Sequence, residues 1–293
     1  MRVSNIGTST NAILGLQYAS KALEDAQQRA QSGRRVERAS DDPNAASSIM
    51  SSDSSLRALD QYQRNINSAT VRSNTEEEIL NRLSTMLERA KQIGIQEGNG
   101  SASAQTRLVA KAEVDQILAF AVQLANTKFE GEYLFGGDQS GTMPITQSTP
   151  PFSTTPPTGQ RRAEISENLV VNVNHNASQL FLSSSVLASL DQLSTALGAN
   201  DQLAVMNSIN TIDTGLLSVQ NFLGDVGAQS NQLESTTQNI IALNATLRVF
   251  KSNLQDVDLE EAVTTLVSKQ NAYQSALLAT SKVLTLSLAD YIR

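Results

Sequence analysis

The chain has no cysteine and no tryptophan, a single histidine, and six prolines in 293 residues. Without cysteine it can form neither disulfides nor thiolate-ligated zinc. One histidine rules out paired-histidine zinc motifs and argues against a serine–histidine–aspartate arrangement. Aromatics are 4% of the residues, seven of them Phe. So thin a supply favours helical layers packed through Leu, Ile, Val and Ala over a thick globular core. Positive charge is not in excess: the formal net charge is −7 and the isoelectric point about 4.9, so no basic stripe for nucleic acid is expected. No run of eighteen apolar residues occurs, so no membrane span is expected. The polar start, Met1 to Thr10, lacks the apolar stretch of a cleavable secretory signal.

What is present is uneven. Hydrophobic residues are 40% and charged residues 17%, which is low in charge for a globular protein. Five of the six prolines fall between Pro144 and Pro157. Proline removes a donor and clashes with the preceding helical turn. The cluster therefore separates two arms that are free to be long helices, one going out and one returning, and brings the chain ends together.

In the outgoing arm, residues 11–32 read as a helix with Ile13, Leu16, Leu23, Ala26 and Ala30 on one face. Gly33 follows as a C-terminal cap. Ser20 and Gln27 thin that stripe, so this helix needs packing to become firm. Asp42 can cap a second helix that has Pro43 in its first position. That helix runs to Glu97, before Gly98-Asn99-Gly100. Its seam is Leu59, Tyr62, Ile66, Ala69, Leu80, Leu83, Leu87 and Ala90, interrupted at Ser73 and Glu76. Some 55 residues at 1.5 Å per residue would span roughly 80 Å. A third helix is expected over residues 104–128, with Leu108, Leu118, Val122, Ala125 and Phe129 on its buried side.

The middle is rich in Gly, Pro, Ser and Thr. Leu169, Val171 and Val173 alternate with Val170 and Asn172, the pattern of a short strand. Residues 133–135 and 161–165 are the expected pairing partners. Residues 136–183 therefore read as a small β-rich insert.

The returning arm gives helices near residues 185–197 and 201–223. After them Leu233, Ile240, Leu247 and Leu254 recur every seven residues, with Leu243, Phe250 and Val257 offset by three. Asp258 can cap a last helix, with Glu261 placed as in a capping box. Leu259, Val263, Leu266, Tyr273, Leu277, Leu284 and Leu288 carry its apolar face toward the C-terminus. Termini normally fray and are polar, so a stripe running that far needs a partner. The expected fold is mainly α: an elongated rod of long antiparallel helices with terminal coiled-coil helices and a small β-rich insert.

Four local features have plain readings. Gly136-Gly137-Asp138-Gln139-Ser140-Gly141 lacks the lysine and following helix of a phosphate loop and reads as a turn. Asp256, Asp258, Glu260 and Glu261 lack the spacing of a calcium loop, and suit a helix N-terminus. His175, among asparagines, reads as a solvated loop residue. Arg34, Arg35 and Arg38 either pair with Asp41 and Asp42 or face an acidic neighbour in an assembly. The terminal stripes could pack on each other within one chain. Their length, polar interruptions and reach to the chain ends favour burial between chains.

Two segments then carry a resemblance. Arg29-Ala-Gln-Ser-Gly-Arg-Arg-Val36 followed by Ala39-Ser-Asp-Asp-Pro-Asn-Ala-Ala46 resembles the N-terminal signature of the flagellin family. Val226-Gly-Ala-Gln-Ser-Asn-Gln-Leu-Glu234 and Leu254-Gln-Asp-Val-Asp-Leu-Glu-Glu-Ala262 resemble its C-terminal signature. The matching positions are Ser32, Gly33, Arg34, Asp41, Asp42, Pro43, Gly227, Ala228, Asn231, Leu233, Asp256 and Asp258. The resemblance covers both arms and leaves out the insert. Ser40-Asp-Asp-Pro-Asn-Ala-Ala46 departs from the family's usual Asp-Asp-Pro-Ala-Gly. Together with Asn126-Thr-Lys-Phe-Glu-Gly-Glu-Tyr-Leu-Phe-Gly-Gly137 and Leu284-Thr-Leu-Ser-Leu-Ala-Asp-Tyr-Ile292, it looks more like the family's hook–filament junction branch than its filament subunits.

The resemblance implies a structural, non-enzymatic subunit of the bacterial flagellum, without cofactor, metal or nucleic acid. Residues 1–42 and 256–293 would be terminal coiled-coil helices of an inner layer, weakly ordered in the monomer. Residues 43–135 and 184–255 would be a helical rod, with 136–183 projecting. The implied partners are hook-associated protein 1, flagellin, further copies of the chain and an export chaperone on the C-terminal helix. The implied location is the extracellular hook–filament junction, reached through the flagellar export channel without a cleaved signal. The alternatives are a short filament flagellin and, from another class, a cytoplasmic coiled-coil adaptor.

Overall fold

The computed structural model describes the backbone of residues 2–153 and 155–291; the side chains of residues 2–6, 8 and 284–291 lie outside the described set. Leu284 and Leu288 of the expected C-terminal stripe are among the latter. The chain is mainly α-helical, in the order α1 (Arg2–Ser32), α2 (Pro43–Glu97), α3 (Ala104–Ala125), β1 (Lys128–Phe129), β2 (Glu132–Tyr133), β3 (Arg162–Ser166), β4 (Leu169–Asn172), a π-helical turn (Ser178–Ser183), α4 (Val186–Gly198), α5 (Gln202–Gln255) and α6 (Leu259–Tyr291). It divides into two compact units, one of residues 1–57 with 243–293 and the other of residues 58–242.

Helix ends follow local chemistry. Gly33 takes φ +66° directly after α1, and its N–H donates to the Arg29 carbonyl at 3.0 Å. The Asp42 carboxylate accepts from the Ala45 N–H at 3.0 Å at the start of α2. Ser103 Oγ accepts from the Thr106 N–H at 3.1 Å at the start of α3. α1 begins nine residues earlier than the apolar pattern suggested, because its first turns carry no stripe to announce them. α3 stops at Ala125 instead of reaching residue 128. There the Asn126 side chain turns to the loop, donating to the Ile145 carbonyl at 2.9 Å and accepting from the Ile145 N–H at 3.0 Å.

Within residues 58–242 one apolar core joins four helices. Leu80, Leu83 and Leu87 of α2 meet Val114 of α3, Leu187 and Leu190 of α4, and Val205, Ile212 and Val219 of α5. Residues 136–183 share that core through Ile145, Phe152, Ala177, Leu180 and Phe181, and Phe135 and Phe181 meet edge to face at 5.3 Å. Among the described residues their regular β structure is a single antiparallel hairpin in which Ala163 faces Val171 and Glu164 faces Val170. Residues 133–135 do not join it. Instead β2 pairs with β1 across Glu130 and Gly131, both at positive φ, the mirror-image turn suited to two-residue hairpin loops.

The Gly136-Gly137 turn is a close backbone crossing. A Cβ on Gly137, itself at φ +59°, would lie 2.3 Å from the Gly159 carbonyl oxygen. α5 runs without a break through Gly224 and Gly227, where the sequence suggested an end near residue 223. Each helical glycine costs only about 1 kcal/mol against alanine, and Phe222, Leu223 and the buried Val226 around them pack on the core.

Several polar residues inside this unit are paired between elements. Arg107, 5% exposed, donates to the Glu97 carbonyl at 3.0 Å, the Asn200 side chain at 2.7 Å and the Asn99 carbonyl at 3.2 Å. That ties the end of α2 to the turn before α5. Ser73 and Glu76, which broke the seam of α2 on paper, are fully buried. The Ser73 and Ser230 hydroxyls lie 3.2 Å apart. Arg72 sits over the Phe129 ring at 5.2 Å and 3.6 Å from Glu132.

His175 is not a solvated loop residue. Its ring Nδ1 is 2.7 Å from Glu76 Oε1, with 16% of its side chain exposed. Burial opposes the charged ring, but the hydrogen bond and charge of Glu76, with Asp225, outweigh it and raise the pKa of His175.

Candidate assembly interface

The unit of residues 1–57 and 243–293 holds the chain-end helices. α1 and α6 pack on each other. Ala26 and Ala262 are buried, and the Thr280 hydroxyl lies 3.2 Å from the Ala12 carbonyl. The in-chain pairing set aside on sequence grounds therefore occurs.

It leaves part of the apolar stripe in water. Leu259 is 63% exposed, Val263 49%, Leu277 45% and Ile13 43%. Leu16, Leu23, Leu266 and Tyr273 are half-buried. Tyr18, Val267 and Leu278, which the heptad reading did not select, are exposed beside them. A 3-4 pattern of larger apolar residues picks one seam. A helix with apolar residues flanking that seam offers a wider face than one partner covers.

The turns at the inner ends of α1 and α6 are zipped together by backbone. The Arg35 N–H donates to the Gln255 carbonyl at 2.7 Å, and the Val257 N–H to the Gly33 carbonyl at 3.0 Å. Arg34 and Asp256 form an antiparallel bridge. Arg35 donates to the Leu254 carbonyl at 2.9 Å and pairs with Asp42 at 3.3 Å. Val36, Ala45 and Ile49 make a small apolar cluster beneath, with Ala46 and Leu254 against it.

Asp41 accepts from the Arg38 N–H at 2.9 Å and the Glu37 N–H at 3.1 Å, and these bonds hold its carboxyl below the usual range. Asp42 is lowered too, first by the Ala45 N–H and then by Arg35. Asp258 accepts from the Glu260 N–H at 2.9 Å, starting α6. The basic cluster is thus divided: Arg35 pairs with an acid of its own chain, Arg38 reaches the Gln28 side chain at 3.4 Å, and Arg34 points to solvent.

The structure therefore gathers Ser32, Gly33, Arg34, Asp41, Asp42, Pro43, Asp256 and Asp258 around one elbow. Gly227, Ala228, Asn231 and Leu233 belong to α5 within the other unit. There Leu233 is buried, while Ala228 and Asn231 are exposed. The Arg35 bonds to Leu254 and Gln255 were not foreseen, since they join residues some 220 positions apart.

Terminal helices that pair within the chain, pinned at a hydrogen-bonded elbow and still partly apolar on their outer surface, suit a structural subunit. The comparisons with known proteins agree. The model of the bacterial flagellin N-terminal helical region matches residues 3–140, and that of the bacterial flagellin C-terminal helical region matches residues 209–292. The chain belongs to the flagellin family. It is 25% identical over 284 residues to flagellar hook-associated protein 3 of Escherichia coli K12, covering 87% of this chain and 88% of that protein. It is 24% identical over 252 residues to the flagellar filament 30.7 kDa core protein of Treponema maltophilum, covering 84% and 82%. Among solved structures, Bacillus cereus FlgL superposes with a TM-score of 0.59 at 27% identity, over 69% of this chain and 99% of that one.

Proposed function

We propose that this protein is a structural subunit of the bacterial flagellum at the junction of hook and filament, with hook-associated protein 1 on one side and flagellin on the other. The observation that carries the reading is the apolar face left on paired terminal helices, with Leu259, Val263 and Leu277 about half exposed or more. In the assembly residues 1–42 and 256–293 make the layer in which neighbouring copies bury each other's stripes, residues 43–135 and 184–255 form its helical body, and 136–183 stay clear of it. Burial between copies is then what firms α1 and α6. The role is structural, not catalytic. Export through the flagellar channel, with a chaperone on α6 and no cleaved signal, brings the chain outside.

A filament subunit is the second reading, favoured by the nearly equal identity to a filament core protein. Seeded assembly separates the two. Purified protein added to isolated hooks that carry hook-associated protein 1 caps them with a short zone and stops; growth of long filaments by this protein alone refutes the junction reading. Labelled protein should appear at the hook–filament boundary in intact cells. Finding it only inside cells, never in sheared flagella, favours an adaptor of another kind. In dilute monomer, protease should cut residues 1–40 and 258–293 first, and equal protection of the ends and the middle overturns ordering by assembly.

A further inference from the structure

His175 lies on the segment that follows β4 and is gripped by two helices. From α2, Glu76 Oε1 meets the ring Nδ1 at 2.7 Å and the His175 backbone N–H at 3.3 Å. From α5, Phe222 packs edge-on against the ring at 4.8 Å, and Asp225 Oδ2 lies 3.9 Å from Nε2. The Glu76 carboxylate is 1% exposed, and its second oxygen has no hydrogen-bond partner. The other charges of this region belong to Arg72, one turn earlier on α2, and to Glu132 and Arg161, which pair with each other beside it. The same segment is fastened by the Val173 N–H to the Arg161 carbonyl at 2.8 Å and the Ala177 N–H to the Phe135 carbonyl at 2.9 Å.

We propose that His175 is a proton-operated latch: its imidazolium, paired with the buried Glu76, clamps residues 173–177 onto α2 and α5, and loss of that proton loosens them. A buried carboxylate with one unpartnered oxygen needs a cation more than a neutral donor. Asp225, on the far side of the ring, likewise attracts only the charged form. Burial works against the imidazolium, but Glu76 and Asp225 outweigh it, so the ring in the closed segment keeps its proton above its ordinary value. The clamp is then complete below the free ring's value of about 6.5 and is lost as pH rises through the higher value of the closed state. Acid tightens the segment and alkali releases it.

The single histidine of the chain makes the test direct. In full-length protein the ring is titrated by NMR. Amide exchange at Val173 and Ala177, corrected for its intrinsic pH dependence, gives the opening constant. By linkage each unit of upward displacement of the midpoint means a tenfold rise in opening across the titration. Glu76→Gln keeps size and an acceptor without charge, so its midpoint falls to the ordinary value or below and its opening no longer follows pH. Asp225→Asn, at an exposed position, lowers the midpoint by a smaller step without touching the interior. A wild-type midpoint at or below about 6.5, opening that is constant across the titration, or midpoints unchanged in both variants each overturn the latch.

Discussion

Replacing Leu259, Val263 and Leu277 together by glutamine separates packing within the chain from packing between chains. These side chains are 63%, 49% and 45% exposed, so in the isolated subunit roughly half of each is already in water. Complete burial of a Val or Leu side chain contributes about 1.5–3 kcal/mol. The exposed half therefore holds about 1 kcal/mol per residue, released only when a neighbour covers it. Glutamine matches leucine in helix propensity and exceeds valine, and its methylenes can fill the covered part of each site while the amide stays in water, so α6 itself loses little. The triple variant should melt within a few degrees of the parent by circular dichroism. Its attachment should weaken by about 3 kcal/mol, or roughly a hundredfold. The assay is complementation of a strain lacking the native protein, comparing the amount on sheared flagella with the amount free in the medium. Full export with little retention is the expected result. Retention equal to the parent, or a large fall in melting temperature, refutes the argument, because the stripe would then be either idle or part of the monomer's own core.

Leu87, fully buried in the α2 seam, should cost about 2–5 kcal/mol when changed to alanine, read from urea unfolding. Two glycine-to-alanine changes should have opposite signs in the same measurement. Gly137→Ala places a Cβ 2.3 Å from a backbone oxygen at φ +59°, and the left-handed backbone alone costs about 1–2 kcal/mol. Gly224→Ala, with nothing within 4 Å of its new Cβ inside α5, should stabilise by about 0.5–1 kcal/mol. Asp41 and Asp42 have lowered carboxyl pKa values. The stability they give the elbow is therefore present above the unfolded value of about 3.9 and lost as pH falls through the lower folded values. Asp41→Asn with Asp42→Asn should flatten that acid dependence in amide exchange at residues 37, 38 and 45.

Elements announced by their own neighbours were legible in the sequence. Asp42 with Pro43, and Gly98-Asn99-Gly100 at the other end, gave both limits of α2 to the residue. The start of α6 after Asp258 followed from the same kind of local signal, and α4 lies within a residue of the expected 185–197 at each end. What failed to show depends on distant partners. Glu76 looked like a flaw in an apolar seam and His175 like a loop residue, because neither reveals the other across 99 residues. α5 looked divided at Gly224 because local propensity was visible and the packing of Phe222 and Val226 was not. Of the candidate interface, the apolar periodicity of α6 as far as Leu277 was legible, since it is a repeating pattern. The in-chain pairing with α1 and the added exposure of Tyr18, Val267 and Leu278 required the structure.

The two kinds of seam also explain why the flaws sit where they do. A run of leucines at heptad spacing lets helices slide by a whole repeat at little cost. In residues 58–242 the slide is blocked. Arg72, Ser73 and Glu76 of α2 find Glu132, Ser230 and His175 in one register. A displaced register would leave a buried carboxylate unpaired, at a cost of about 3–5 kcal/mol. The pairing of α1 with α6 is built differently: Ala26, Ala262 and Thr280 are buried there, while the large apolar groups Leu259, Val263 and Leu277 face outward. Small buried residues and exposed large ones make a weak pair with a strong outer face. In the proposed assembly that division lets the body keep one register while the outer face of the ends is left for neighbours.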